Sequence, residues 1–180
     1  MRIAMIGAGY VGLVSGVCFS DFGHDVVCVD KDPRKISALR EGRVPIFEPG
    51  LEKMLAANAA AGRLTFSDTL AAAVAEADAV FIAVGTPTRR GEGQADLSFV
   101  YAAARELAAA LRGYTVVVVK STVPVGTNRE VQRIIGEANP NADFDVASNP
   151  EFLREGAAIE AFMRPDRVVV GAATERSEQT

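Results

Sequence analysis

The hexamer Gly7-Ala8-Gly9-Tyr10-Val11-Gly12 constrains this chain more than any other stretch of it. It follows a short apolar run at residues 3–6. It opens a segment whose apolar residues, Val11, Val14, Cys18 and Phe22, recur at helical spacing. A second apolar run, 26–29, ends at Asp30, eighteen residues after the last glycine. Glycines at these three positions allow a strand to turn tightly into a helix, the backbone to approach an anion, and the helix to pack closely on the strand. A β-α-β unit with a phosphate-sized turn uses all three allowances at once. That sets the direction of the fold, because such units build parallel sheets with helical crossovers.

The remainder continues the alternation. Apolar runs at 79–84, 116–119, 145–147 and 168–170 are rich in Val and Ile, and most lack in/out alternation, as strands covered on both faces do. Residues 64–66 could add a short strand. Helical stripes fall at Leu51, Met54 and Leu55, at Val100, Ala104, Leu107 and Leu111, and at Val131, Ile134 and Ile135. Asp96 and Ser67 stand where helix N-caps are expected. The expected fold class is α/β: a doubly wound parallel sheet, Rossmann-like, in three αβα layers. One domain is expected over 1–180, with a dinucleotide half at 1–112, strand-end loops at 113–171 and a polar tail at 172–180. The segment RRGEGQ at 89–94 reads as a mobile surface excursion.

Composition narrows the partners. A net charge of −4, with 49% apolar and 23% charged residues, argues against wholesale disorder and against a general nucleic-acid binder. Residues 3–20 carry no charge, but four glycines interrupt the run, and the glycine turn with its helix explains it better than a membrane span or an export signal. Cys18 and Cys28 form no C-x-x-C pair and no metal cluster with His24, the only histidine. Buried thiols in a reducing, cytoplasmic setting are expected. His24 falls at the turn into the second strand, where a structural role is expected.

In this context the turn reads as a dinucleotide site. Gly7, Gly9 and Gly12 shape it, and the N–H groups that open the helix face the pyrophosphate. Asp30 can accept hydrogen bonds from ribose hydroxyls and would repel a 2′-phosphate, which favours NAD over NADP. Lys31, Arg34 and Lys35 work against that preference. Ligands of open α/β sheets bind beyond the carboxyl ends of the strands. Three such ends carry suggestive loops: Gly85-Thr86-Pro87-Thr88, the stretch from Lys120 to Thr127, and Asn149-Pro150-Glu151-Phe152-Leu153-Arg154-Glu155-Gly156. Taken singly these are turn residues, caps and first-turn acids. Together at consecutive strand ends they point to a site near the nicotinamide.

The segments GAGYVGLVSGVCF, PIFEPGLE, FIAVGTPT, KSTVPVGT, SNPEFLREG and PDRVVVG, in this order over residues 1–171, resemble the UDP-glucose/GDP-mannose dehydrogenase family. The resemblance implies two successive NAD-dependent oxidations of the C6 alcohol of a nucleotide sugar, UDP-glucose to UDP-glucuronate, through a cysteine-bound thioester. It implies that Tyr10, Val11, Asp30, Lys35, Thr86, Thr122 and Glu155 contact NAD. Glu151 would be the acid/base of thioester hydrolysis, with Thr122 helping to position the water. Glu151, Phe152, Leu153, Arg154 and Glu155 would border the sugar nucleotide. The family's nucleophilic cysteine, its catalytic lysine and aspartate, and its UDP-binding C-terminal domain lie downstream of the region matched here. These 180 residues are therefore expected to bind NAD without completing the reaction, and the complete protein to be a homodimer or larger, with no nucleic acid or membrane partner. GDP-mannose or UDP-N-acetylmannosamine as substrate, and a stand-alone NAD(H)-binding module, are the competing readings.

Overall fold

The computed structural model describes residues 1–88 and 95–180. The excursion expected at 89–94 lies outside the described residues. In chain order the elements are β1 (Arg2–Ile6), α1 (Tyr10–Asp21), β2 (Asp25–Val29), α2 (Pro33–Arg40), α3 (Leu51–Ala60), β3 (Leu64–Ser67), α4 (Leu70–Ala75), β4 (Ala79–Ile82), α5 (Ser98–Ala108), β5 (Thr115–Val119), α6 (Thr127–Ala138), β6 (Phe144–Ser148), α7 (Ala158–Met163) and α8 (Glu175–Glu178). The strands form a six-stranded sheet in the order β3-β2-β1-β4-β5-β6. Every ladder is parallel, with Ile6 opposite both Val29 and Ile82, and Val119 opposite Ser148. The expected α/β class holds. The order reverses between β1 and β4, and that reversal opens a crevice beyond their carboxyl ends.

Alternation along β1 builds both layers. Ala4 and Ile6 pack with Val80, Ile82, Val117 and Val119 beneath α4, α5 and α6. Ile3 and Met5 face the other way, onto Leu13, Val14 and Val17 of α1 and onto Ile36, Leu39, Leu51 and Leu55 of α2 and α3. Removing one such side chain from water stabilises the fold by roughly 1.5–3 kcal/mol, which is why unalternating runs read as central strands. α2 begins as its sequence dictates, with Pro33 in the first turn and the Asp32 carboxylate accepting the Arg34 N–H at 3.0 Å. Neither expected cap is the N-cap itself: Ser67 lies two residues before Thr69, the N-cap of α4, and Asp96 one residue before Leu97, the N-cap of α5. Ser67 Oγ accepts the Thr69 N–H at 3.0 Å just before α4, and Asp96 accepts the Ser98 N–H at 3.0 Å at the start of α5.

The run at 168–170 is not a strand of the sheet. Val168 and Val170 are 68% and 60% exposed. A side chain, not a ladder, tethers the run: Asn149 Nδ2 donates to the Val169 carbonyl at 3.0 Å. Only Gly171 reaches β6, in a single antiparallel bridge to Ser148. An apolar β-branched run reads alike whether it is buried or merely extended, and that explains the difference. The polar tail carries more structure than its composition suggests. Thr174 and Ser177 form a capping box on α8, and Thr174 Oγ1 donates to Asp145 at 2.7 Å. The Arg176 guanidinium pairs with Asp143 at 3.0 Å and lies 3.3 Å over the Tyr114 ring. Among the described residues no helix is long and apolar enough to cross a membrane.

Candidate functional site

The glycine turn links β1 to α1 at the centre of the sheet. Gly7 has φ +102°, and a Cβ there would lie 2.7 Å from the Ala83 carbonyl oxygen. A Cβ on Gly12 would overlap the Gly7 carbonyl oxygen, so α1 can leave the turn at this angle only without a side chain. Gly9 differs, because a Cβ there would meet nothing. Gly9 is also the N-cap of α1 with no side-chain capping bond, and the first turn holds no acid. The helix thus opens onto free space with its donors and its positive dipole end unopposed, which suits a pyrophosphate.

Cavities flank this turn on both sides. One, of about 380 Å³, runs from Gly7 and Gly9 past Asp30 and Lys35 to Phe99 and Glu106. The other, of about 300 Å³, is lined by Gly9, Tyr10 and Val11 together with Thr86, Ser121, Thr122 and Glu151. They share Gly9, Ala83, Val84 and Gly85, so one groove crosses the switch point. A dinucleotide needs such a groove, with a phosphate seat in its middle and a nucleoside-sized space at each end. The residues present fit NAD.

Asp30 ends β2 and is heavily engaged. Its Oδ2 accepts the Ala8 N–H at 3.0 Å and the Lys35 ammonium at 2.7 Å, and its Oδ1 accepts the Asp32 N–H at 3.0 Å. Burial pushes its pKa up, but the Lys35 hydrogen bond and the two amides outweigh that and leave it below the usual aspartate range. The carboxylate therefore braces the glycine turn from behind as well as lining the larger cavity. The three cations that blurred the cofactor preference are each paired with an acid: Lys35 with Asp30, Lys31 with Glu106 at 2.6 Å, and Arg34 with Asp32 at 3.3 Å.

At the opposite end three strand ends meet. Ser121 follows β5 and donates to the Val84 carbonyl at 2.7 Å, which ties that loop to the end of β4. Thr86 Oγ1 donates to the Thr122 carbonyl at 3.2 Å. Glu151 follows β6; its Oε2 accepts the Leu153 N–H at 2.6 Å, which turns the chain and leaves the carboxylate on the cavity wall. Lys120 is 4% exposed and donates to Asn149 Oδ1 at 2.8 Å. Burial pushes its pKa down to about 8, against the pull of Glu151. Lys120, Glu151, Phe152 and Leu153 share a further cavity of about 280 Å³.

The expected residues thus divide. Gly7, Gly9, Tyr10, Val11, Asp30, Lys35, Thr86, Thr122 and Glu151 line the groove, with Gly12 buried beneath it. Phe152 and Leu153 line the adjoining cavity, whereas Arg154 and Glu155 are exposed and line none of the three. Neither cysteine approaches the groove walls; both are buried, and burial pushes each thiol up to about 12. His24 sits just before β2, at the sheet end away from the groove.

Glu48 was not singled out in the sequence. It is 7% exposed, and its carboxylate accepts from the Tyr10 hydroxyl and from the Gly156 and Ala158 N–H groups, both at 2.9 Å. Burial favours the neutral form, but these donors prevail and hold its pKa below the usual range. Burial and the Glu48 contact together push the Tyr10 phenol up to about 12. The one signal in the sequence was an acid set between Phe47 and Pro49, too weak to separate from a surface loop.

Comparison with known proteins agrees with this geometry. A family model described as the NAD binding domain of the UDP-glucose/GDP-mannose dehydrogenase family matches residues 1–180. A UDP-glucose 6-dehydrogenase of Rhizobium meliloti is 73% identical over 171 residues, covering 95% of this chain and 39% of the relative. One from Pseudomonas aeruginosa is 51% identical, covering 100% of this chain and 40% of the relative. This chain therefore spans about two fifths of the length of these relatives. Among solved structures, a UDP-glucose dehydrogenase from Pyrobaculum islandicum superposes with a TM-score of 0.93 at 48% identity, over 98% of this chain and 42% of that one. A ternary complex of GDP-mannose dehydrogenase from Pseudomonas aeruginosa gives 0.95 at 38% identity, over 99% and 42%.

Proposed function

The chain belongs to the UDP-glucose/GDP-mannose dehydrogenase family, whose NAD-binding domain it forms, and we propose that it serves a protein that oxidises the C6 alcohol of UDP-glucose to a carboxylate in two NAD-dependent steps. The observation that carries the reading is the convergence of Thr86, Thr122 and Glu151, from three separate strand ends, on a cavity continuous with the glycine turn. NAD, when bound, supplies the hydride acceptor for each oxidation. The chain's own residues do the rest of the work assigned to this domain. The Tyr10 and Val11 amides at the start of α1 hold the pyrophosphate. Asp30 accepts from the ribose. Thr86 and Thr122 border the nicotinamide, whereas Glu155, exposed and off the groove wall, has no contact to offer the cofactor in this arrangement. Glu151 takes a proton from the water that releases the acid, and loop 151–155 borders the sugar nucleotide. UDP-glucose is preferred over GDP-mannose because the high-identity relatives carry that substrate in their names.

Neither thiol here is a nucleophile, since both are buried and held protonated. On this reading the 180 residues bind NAD without completing the oxidation, and the covalent step falls to a cysteine outside them. Two free, buried thiols also accord with a cytoplasmic location.

Calorimetric titration of the 180-residue chain with NAD tests the first half; no heat of binding up to millimolar NAD would overturn it. In the complete protein, Glu151→Gln is expected to lower turnover about a hundredfold while NAD affinity stays within about threefold. Unchanged turnover would remove Glu151 from the chemistry.

A further inference from the structure

We propose that Glu48 is a positioning residue, whose buried carboxylate fixes loop 151–156 against the first turn of α1 and so holds the acid at 151 in one placement relative to the cofactor-binding turn. The inference rests on the proposed function of that loop.

Three segments distant in sequence meet at this carboxylate. One of its oxygens accepts from the Tyr10 hydroxyl, at the start of α1, and from the Gly156 N–H at 2.9 Å. The other accepts the Ala158 N–H at 2.9 Å, at the first residue of α7. The Gly156 N–H also reaches the Tyr10 hydroxyl oxygen at 3.2 Å, which closes the arrangement into a ring. Glu48 lines neither half of the groove, so it acts through these bonds and not by touching a ligand.

Stability alone does not account for an acid here. Among the described residues no lysine or arginine pairs with Glu48. A buried carboxylate without a cation is costly unless N–H and O–H donors replace its water. An apolar residue would avoid that cost. It would, however, leave the Ala158 amide without its acceptor and the Gly156 amide with only the longer bond to the Tyr10 hydroxyl. The carboxylate supplies lone pairs to backbone donors on two sides of one loop. That loop begins with Glu151 on the cavity wall.

Glu48→Gln separates this role from bulk. Glutamine keeps the shape but carries one oxygen. Its amide nitrogen must oppose either the Gly156 or the Ala158 N–H, so one of them loses its bond to residue 48, and Gly156 would then rest on the Tyr10 hydroxyl alone. In the 180-residue chain, hydrogen exchange at Gly156 or Ala158 is expected to accelerate at least tenfold, with the amides of the sheet unchanged and the NAD dissociation constant within about threefold. In the complete protein, kcat is expected to fall at least tenfold while both KM values move less than threefold. Ile135→Val, buried beneath the far layer, serves as the destabilised control and should move stability but neither the loop amides nor kcat. Should Glu48→Gln fail to fold, Tyr10→Phe reads the same ring: Gly156 exchange rises several-fold while Ala158 stays protected. Unaltered exchange at both amides overturns the clamp. Accelerated exchange with unchanged kcat overturns its role in the reaction. A wild-type chain that binds no NAD overturns the function proposed above and the role of Glu48 with it, while the exchange result still reports on the ring.

Discussion

The two ends of the groove are held by different physics. At the glycine turn the constraint is steric and local. Gly7 and Gly12 admit no Cβ, each because backbone already occupies the space, and Asp30 braces the turn through the Ala8 amide. At the strand-end loops the constraint is polar and long-range. Ser121, Lys120 and Glu48 bind partners on other segments of the chain, with Glu48 reaching residues more than a hundred positions away. The first region is rigid because nothing else fits. The second is placed by a few hydrogen bonds that single substitutions can remove. In the function proposed here, the part that is the same for every NAD domain is built from backbone, and the part that sets the reaction is built from side chains.

If that contrast is right, the largest effect belongs to the turn. Gly12→Ala puts a methyl into the Gly7 carbonyl and should destabilise the chain by about 3 kcal/mol or more, abolishing NAD binding. Denaturant unfolding and calorimetry check it, and a well-folded variant that still binds NAD would break the steric half of the comparison. The next effect belongs to the loops and appears only with pH. Lys120 is depressed to about 8 in the fold against about 10.5 unfolded, so the unfolded chain binds the extra proton between those values. Folding stability should therefore rise from pH 8 to 10.5 relative to Lys120→Met, by at most on the order of 3 kcal/mol. Parallel stability–pH curves for the two proteins would show that the lysine is not held at a cost.

The smallest effect returns to the turn. Asp30→Ala should weaken NAD binding about tenfold, roughly 1.4 kcal/mol, by removing the ribose acceptor and loosening the Ala8 amide. Because the folded carboxyl is depressed, the stability that Asp30 contributes is present above the ordinary aspartate value of about 3.9 and is lost as pH falls below it. Equal acid sensitivity in wild type and variant would remove the brace.

The same contrast explains what could be read in advance. The turn, the acid that ends β2 and the runs of the central strands were legible because each is set by neighbours in sequence or by burial on both faces. Thr86, Thr122 and Glu151 were legible as strand-end residues and through family resemblance, although nothing in their spacing shows that they share a cavity. Glu48 was not, because its partners are Tyr10, Gly156 and Ala158, and no local pattern signals a contact across that distance. The run at 168–170 misread for the complementary reason: composition reports β-propensity and not whether a neighbouring strand is there to pair.

The folded tail has one more consequence. β6 ends the sheet, and an unprotected terminal strand offers its unpaired backbone groups as a template to other chains. Here Gly171 takes the N–H and carbonyl of Ser148, at 2.8 and 2.9 Å, and the tail anchors on Asp143 and Asp145, the latter a residue of the strand itself. A segment that adds nothing to the groove thereby covers the edge strand at Ser148, and cutting it away is expected to be felt in solubility before it is felt in cofactor binding.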